Sequence, residues 1–175
     1  QALLQASALP VEGVTDQFGE AYAVAEENGA VLGAIGIERY GNYGLLRSAV
    51  VAADARGRGI GEALVLARID WSIHSGLDAL YLLTTTAGEY FPRFGFALID
   101  RSEVPDEVKA SQEFASICPS TSAVMRLPIA NGEGIRALVK HNYSAAARRA
   151  AQGDAASCGC NAEGEQWDPI TSNLY

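Results

Sequence analysis

The 175-residue chain is 49% hydrophobic and 19% charged, which supplies enough apolar material for a core and excludes a fully disordered protein. Its 13 basic and 21 acidic side chains give a formal charge of −8, so it lacks the basic excess that non-specific nucleic-acid binding requires. No apolar run approaches the roughly 20 residues of a membrane span, and Gln1–Leu9 has no basic stretch of the kind that opens a secretory signal. Three cysteines are too few for a disulfide scaffold, and a reducing, cytoplasmic setting is expected.

Strand and helix signals fill residues 1–129, which are expected to form one domain of mixed α+β class. Residues 130–134 (ANGEG) read as a linker. Residues 135–175 form an appendage: a helical stretch to about Ala151, then a polar, glycine-containing tail. Near the start, Gln1–Ala8 reads as helix. Ala21–Glu26 and Ala30–Glu38 flank Asn28-Gly29, a pair that tolerates the positive φ of a tight hairpin turn. Leu45–Ala52 adds a third strand, completing an antiparallel meander. A helix then runs to about His74, with Ile60, Leu64, Ala67 and Trp71 expected on its inner face and Glu62, Arg68 and Ser72 outside that stripe. Ala79–Thr84 reads as a buried strand, Gly88–Phe94 as a short helix and Phe96–Asp100 as a strand. Pro105–Phe114 reads as a helix and Thr121–Leu127 as the last strand.

The most informative segment is Val50–Gly61, VVAADARGRGIG. A strand ends there, and a loop with alternate glycines opens a helix. Glycines let backbone N–H groups approach an anion, the helix start adds a partial positive charge, and Arg56 and Arg58 add two full ones. That combination suits a pyrophosphate; an ordinary strand-to-helix turn is the plain alternative. A P-loop would need Gly-Lys-Ser/Thr, which is absent. A dinucleotide fingerprint would need G-x-G-x-x-G, whereas Gly57, Gly59 and Gly61 alternate.

Two charged residues stand out, Arg47 within the third strand and Glu38 at the end of the strand before it. Arg47, within LLRSAVV, is either a solvent-side residue or a bidentate clamp for a substrate carboxylate. Glu38 is either a rim charge or a base acting directly or through water. Cys118 reads as a small buried residue. Cys158 and Cys160 give two soft thiolates suited to As(III) or a soft metal, or else form an incidental pair in the tail.

Arg56, Gly59 and Gly61 resemble the Arg/Gln-x-x-Gly-x-Gly/Ala signature of GNAT acetyltransferases. Tyr90–Phe96 (YFPRFGF) is similar to that family's Phe-Tyr-x-x-x-Gly-Phe segment, and the element order agrees across about residues 1–129. Leu45–Ser48, Leu82–Ala87 and Glu113–Met125 further resemble the amino-acid N-acetyltransferases found with arsenic-resistance proteins. The segment from Val139 to Cys160, with Asp168–Tyr175, resembles the beginning of bacterial arsenite methyltransferases.

These resemblances imply a GNAT fold with a mostly antiparallel sheet and acetyl-CoA as cosubstrate. They imply a small amino-acid-like amine as acceptor and a homodimer. A fused methyltransferase would have its cofactor-binding domain outside this chain, and the tail thiols would capture As(III) only beside it. The family's first strand precedes its first helix, inside which this sequence begins. Acetyl-CoA would enter where the third and fourth strands of this chain splay. Its pantetheine would pair with the backbone of Ala49, Val50 and Val51, and its pyrophosphate would meet Arg56, Gly57, Arg58, Gly59, Ile60 and Gly61. Thr84 and Thr85 would border the acetyl end, and an N–H would stabilise the oxyanion. The family's proton-donating Tyr falls on Phe91, which would line the cofactor, with Tyr90 one place earlier as the candidate catalytic residue. Because Phe cannot donate a proton, a catalytically silent CoA-binding domain is the alternative.

Overall fold

The computed structural model describes residues 2–6, 19–85, 88–117 and 119–129. A short helix, α1 (Ala2–Ala6), precedes strands β1 (Tyr22–Glu27), β2 (Ala30–Tyr40) and β3 (Tyr43–Val51). Helix α2 (Ile60–His74) leads to β4 (Ala79–Thr84) and β5 (Ala97–Ile99). The four-residue α3 (Asp106–Lys109) and a π-helical turn, Glu113–Ile117, come before β6 (Ala123–Pro128). The six strands lie in the order β1-β2-β3-β4-β6-β5, with every neighbouring pair antiparallel except β3–β4. This is the expected α+β architecture.

Local chemistry explains the well-placed elements. Asn28 and Gly29 both take positive φ, 52° and 79°, which gives the β1–β2 turn the twist a two-residue hairpin needs. Strand alternation then sorts side chains between two apolar layers. Leu46, Leu80, Leu82 and Met125 pack with Leu64, Val65 and Ile69 of α2 on one face. Leu45, Tyr81 and Val124 pack with Val104, Val108 and Phe114 on the other.

Three expected elements differ. The buried residues of α2 are Gly61, Leu64, Val65, Leu66, Arg68, Ile69 and Ser72, whereas Ile60, Ala67 and Trp71 are only half-buried. Arg68 is buried because its guanidinium donates to the Glu20 carbonyl at 2.8 Å, and Ser72 because its hydroxyl donates to the Arg68 carbonyl at 2.7 Å. The helix expected over Gly88–Phe94 is a tight 3-10 turn, Phe91–Phe94, stopped by Gly95 at φ 90°. The helix expected over Pro105–Phe114 breaks after Lys109. Beyond the break, Arg101 donates to the Phe114 carbonyl at 3.2 Å and lies 4.9 Å from its ring centre, a long-range capture that favours the π turn. The linker, the C-terminal helix and the tail lie outside the described residues, as do Cys118, Cys158 and Cys160.

Candidate functional site

β3 ends at Val51, and a 3-10 turn, Ala53–Ala55, carries the chain into Arg56–Gly59. Gly57 and Gly59 have φ of 73° and 77°, a region costly for residues with a Cβ. No heavy atom of the described residues lies within 4 Å of where either Cβ would stand, so among them the loop is open on that side. Gly59 is also the N-cap of α2 and offers no side-chain cap. The first N–H groups of the helix therefore lack side-chain acceptance from the cap, and the helix dipole makes this end positive. Gly61 differs in being buried on the inner face of α2. Arg56 donates weakly back to the Val51 carbonyl at 3.4 Å. Arg58 is engaged by Glu27 of β1 at 2.6 Å in a half-exposed ion pair.

The parallel ladder between β3 and β4 has three rungs: Tyr43↔Ala79, Gly44↔Leu80 and Leu45↔Tyr81. Beyond Leu45 the two strands part, while β3 stays paired to β2 as far as Val51↔Gly33, and β4 stays paired to β6 as far as Thr84↔Ala123. Ala49, Val50 and Val51 therefore line one wall of a wedge, and Thr84 lines the other. Thr84 is buried, and Thr85 is exposed just past the strand end. Between Gly36↔Arg47 and Ala34↔Val50, β3 carries one residue more than β2. Ser48, at φ 56°, takes up this β-bulge. Arg47 immediately precedes it.

Glu38 and Arg47 are neither rim nor solvent-side residues. Their relative exposures are 3% and 5%, and Glu113 joins them at 8%. The register places Glu38 opposite Leu45, on the face covered by α3 and the π turn, which is why a strand-edge acid is buried. Arg47 Nη1 donates to Glu38 Oε1, and its Nη2 lies 3.1 Å from Glu113 Oε1. Tyr40 donates its hydroxyl to Glu38 Oε2 at 2.6 Å. Burial disfavours the charged Arg47, but the bond to Glu38 and the charges of Glu113 and Glu38 outweigh it and hold the guanidinium above its ordinary value. Burial, followed by the bond to Glu38, raises the Tyr40 phenol, and burial raises Tyr22. The Tyr22 ring lies against Gly36, where a Cβ would come within 2.3 Å of it.

Glu113 escaped the sequence reading. It stands inside an expected helix and at the start of the resembling segment Glu113–Met125, and nothing in a linear pattern shows that it faces Arg47.

Tyr90 and Phe91 are both buried, their rings edge to face with centres 5.4 Å apart. Phe94 meets Tyr90 at 5.3 Å, Phe96 meets Phe91 at 5.6 Å, and the Arg93 guanidinium sits 4.5 Å over the Tyr90 ring. Tyr90 is thus built into an aromatic group on the α2 side of the sheet. Among the described residues, no three His, Cys, Asp or Glu side chains gather as a metal site. No helix among them is long and apolar enough to cross a membrane.

The architecture has solved counterparts. N-acetylglutamate synthase from Neisseria gonorrhoeae, complexed with coenzyme A and N-acetyl-glutamate, superposes with TM-score 0.62 at 21% identity. The match covers 73% of this chain but 31% of that one, so this chain spans about a third of the synthase. Rv2747 from Mycobacterium tuberculosis, in a complex containing CoA, gives TM-score 0.62 at 22% identity over 73% of this chain and 90% of that chain. GCN5 from Tetrahymena gives 0.56 at 19% identity, covering 73% and 81%. At these identities the likeness is one of fold. No curated protein sequence matches the chain. The acetyltransferase (GNAT) family profile matches residues 5–96, which are 92 of the 175 residues and include both the wedge and the glycine loop. The chain belongs to the GNAT acetyltransferase family.

Proposed function

We propose that this protein is an acetyl-CoA-dependent N-acetyltransferase acting on a small amine. The observation that carries the reading is the wedge: a three-rung parallel ladder that opens beside an uncapped, glycine-lined helix start. A pantetheine arm has amides to pair with the strand wall at Ala49–Val51, and a pyrophosphate fits the open cradle at Gly57–Gly61. Arg56 and Arg58 stand beside that cradle, and Arg58 needs only to leave a half-exposed partner to reach an anion. CoA in two of the structural counterparts supports the same cosubstrate.

Bound acetyl-CoA supplies a thioester at the wedge. The acceptor nitrogen must be neutral to attack its carbonyl carbon. Glu38, beside Arg47 at the bulge, takes the ammonium proton directly or through water. The new C–N bond would form, the C–S bond would break, and the second proton shed by the nitrogen would pass to the leaving thiolate through water, a threonine hydroxyl such as Thr84 or Thr85, or Tyr90. The sequence resemblances support an arsenic-resistance setting for the reaction.

Phe91 favours a second reading, a CoA-binding domain without turnover, because a phenyl ring has no proton to give. Calorimetric titration with acetyl-CoA, followed by CoA-release assays over a panel of amines, separates the two. Binding with turnover supports the enzyme, binding without turnover on any amine supports the silent domain, and no binding refutes both.

A further inference from the structure

The π turn that covers Glu38 and Arg47 borrows its outer anchor from elsewhere in the chain. Its inner end is tied to Ser111, whose hydroxyl accepts from the Phe114 N–H at 3.3 Å and whose carbonyl accepts from the Ala115 N–H at 2.9 Å. At the outer end, a continued π ladder would bring the Phe114 carbonyl a donor from five residues on. That residue is Pro119, which has no N–H. Arg101 meets the carbonyl instead, with Nη2 at 3.2 Å, while its Nη1 makes a longer contact, 3.5 Å, with the Ser120 carbonyl. The guanidinium also lies 4.9 Å from the centre of the Phe114 ring. One planar fork thus grips the chain on both sides of Pro119.

Arg101 is itself firmly mounted. It opens a 3-10 turn, Arg101–Glu103, that follows β5 and is capped in both directions. The Asp100 carboxylate accepts from the Ser102 N–H at 2.8 Å, and the Glu103 carboxylate accepts from the Asp100 N–H at 2.9 Å. Lys109 of α3 donates to the Ser102 carbonyl at 3.0 Å, which ties the same turn to the cover. β5 is an edge strand, two strands beyond β4, so the arginine reaches the cover from the far side of the sheet. The residue beside the one it grips is Glu113, whose carboxylate lies 3.1 Å from Arg47. Arg47 in turn bonds Glu38 at the acceptor side of the wedge.

We propose that Arg101 is a positioning residue for the acceptor side of the wedge. Mounted on the Asp100 turn, it fixes the π turn, and the π turn holds Glu113 against Arg47 and keeps Glu38 covered. Its grip on Phe114 lies on the face of the sheet opposite α2, away from the glycine loop that opens that helix, so acetyl-CoA binding is not its task. This rests on the acetyltransferase reading and adds to it a residue that the sequence pattern does not mark.

The test uses the full 175-residue chain. The parent is titrated with acetyl-CoA and assayed for CoA release with L-glutamate, L-leucine, L-arginine and agmatine, and the fastest of these amines is carried forward. At saturating acetyl-CoA, Arg101→Gln is expected to lower kcat/KM for that amine at least about tenfold, with the Kd for acetyl-CoA within about twofold of the parent's; a small displacement near the chemistry has that scale. Arg101→Lys keeps a donor and a charge over the Phe114 ring and is expected to recover most of the loss. Asp100→Ala removes the cap but leaves the guanidinium, and is expected to show a smaller version of it. If Arg101→Gln loses its fold, Asp100→Ala carries the same comparison. Amide exchange checks the structural step without turnover: Glu113–Ile117 should exchange faster in Arg101→Gln, and Leu82–Thr84 at the parent's rate. Unchanged kcat/KM for the amine, unchanged exchange across Glu113–Ile117, or matched losses in amine turnover and acetyl-CoA affinity each overturn the proposal and leave the acetyltransferase reading standing. A parent that does not bind acetyl-CoA, or binds it and acetylates none of the amines, removes that reading and the proposal with it.

Discussion

Arg47 on β3 and Glu38 on β2 are bonded two rungs off register: the arginine stands opposite Gly36, and the acid opposite Leu45. Gly36 has no side chain, and the Tyr22 ring takes the space beside it. Removing one partner leaves the other charge buried. Arg47→Met is expected to destabilise the fold by about 3–5 kcal/mol, and Glu38→Met combined with Arg47→Met to recover part of that loss. Urea unfolding of the two single variants and the double variant measures the coupling. Additive losses would show that the pair does not act as a unit.

At the glycine loop, Gly59→Val is expected to abolish tight CoA binding while leaving a folded domain. The Cβ has open space, so the folding penalty is backbone strain of about 1–2 kcal/mol at φ 77°. The β-branched side chain would stand where the pyrophosphate approaches. Circular dichroism and calorimetry on the same sample check both halves. CoA affinity equal to the parent's would move the phosphate site elsewhere.

Glu27 engages Arg58 in a half-exposed ion pair beside the cradle. Glu27→Gln is therefore expected to strengthen CoA binding several-fold and to steepen its dependence on salt, because a released guanidinium adds a screened long-range attraction. Dissociation constants at low and high ionic strength provide the measurement. An unchanged affinity at low salt would remove Arg58 from the binding set.

Alkaline pH should expose the phenols. Tyr40 is raised above its ordinary value of 10.0 by burial and by its bond to Glu38, and burial also raises Tyr22 and Tyr81. The folded state prefers the neutral phenol more strongly than the unfolded chain does. Their contribution to stability is complete below about pH 10 and is lost as pH climbs toward the raised folded-state values. Urea midpoints from about pH 8 to pH 11 are expected to fall, and to fall less steeply in Tyr40→Phe. An identical slope in the variant would assign the effect to other groups.

Much of this architecture is legible in the amino-acid order because short-range chemistry writes it. Asn28-Gly29 dictates a turn, Ala79–Thr84 can only be a buried strand, and the alternating glycines before Ile60 mark where a helix must begin. The chemistry of the acceptor side was much less legible. Glu38 and Arg47 look like surface residues until the π turn covers them, and that turn follows a carbonyl captured by Arg101 thirteen positions upstream. The bulge left no mark either, since Ser48 occupies a positive φ where glycine would have advertised it. Local pattern predicts which residues are strand and helix. It does not predict which side of the sheet a later segment will cover.

The short ladder between β3 and β4 also bears on how firmly the two halves of the sheet are joined. One half is β1-β2-β3, the other β4-β6-β5, and among the described residues three rungs of parallel pairing are the only strand-to-strand seam between them. A ligand whose own amides bridge the wedge works as a missing strand, completing folding that the polypeptide leaves undone. Occupancy and cohesion are then one equilibrium: amide exchange along Leu82–Thr84 should slow in proportion to ligand saturation. A truncated nucleotide that fills the phosphate cradle without the pantetheine arm would leave that seam as loose as before.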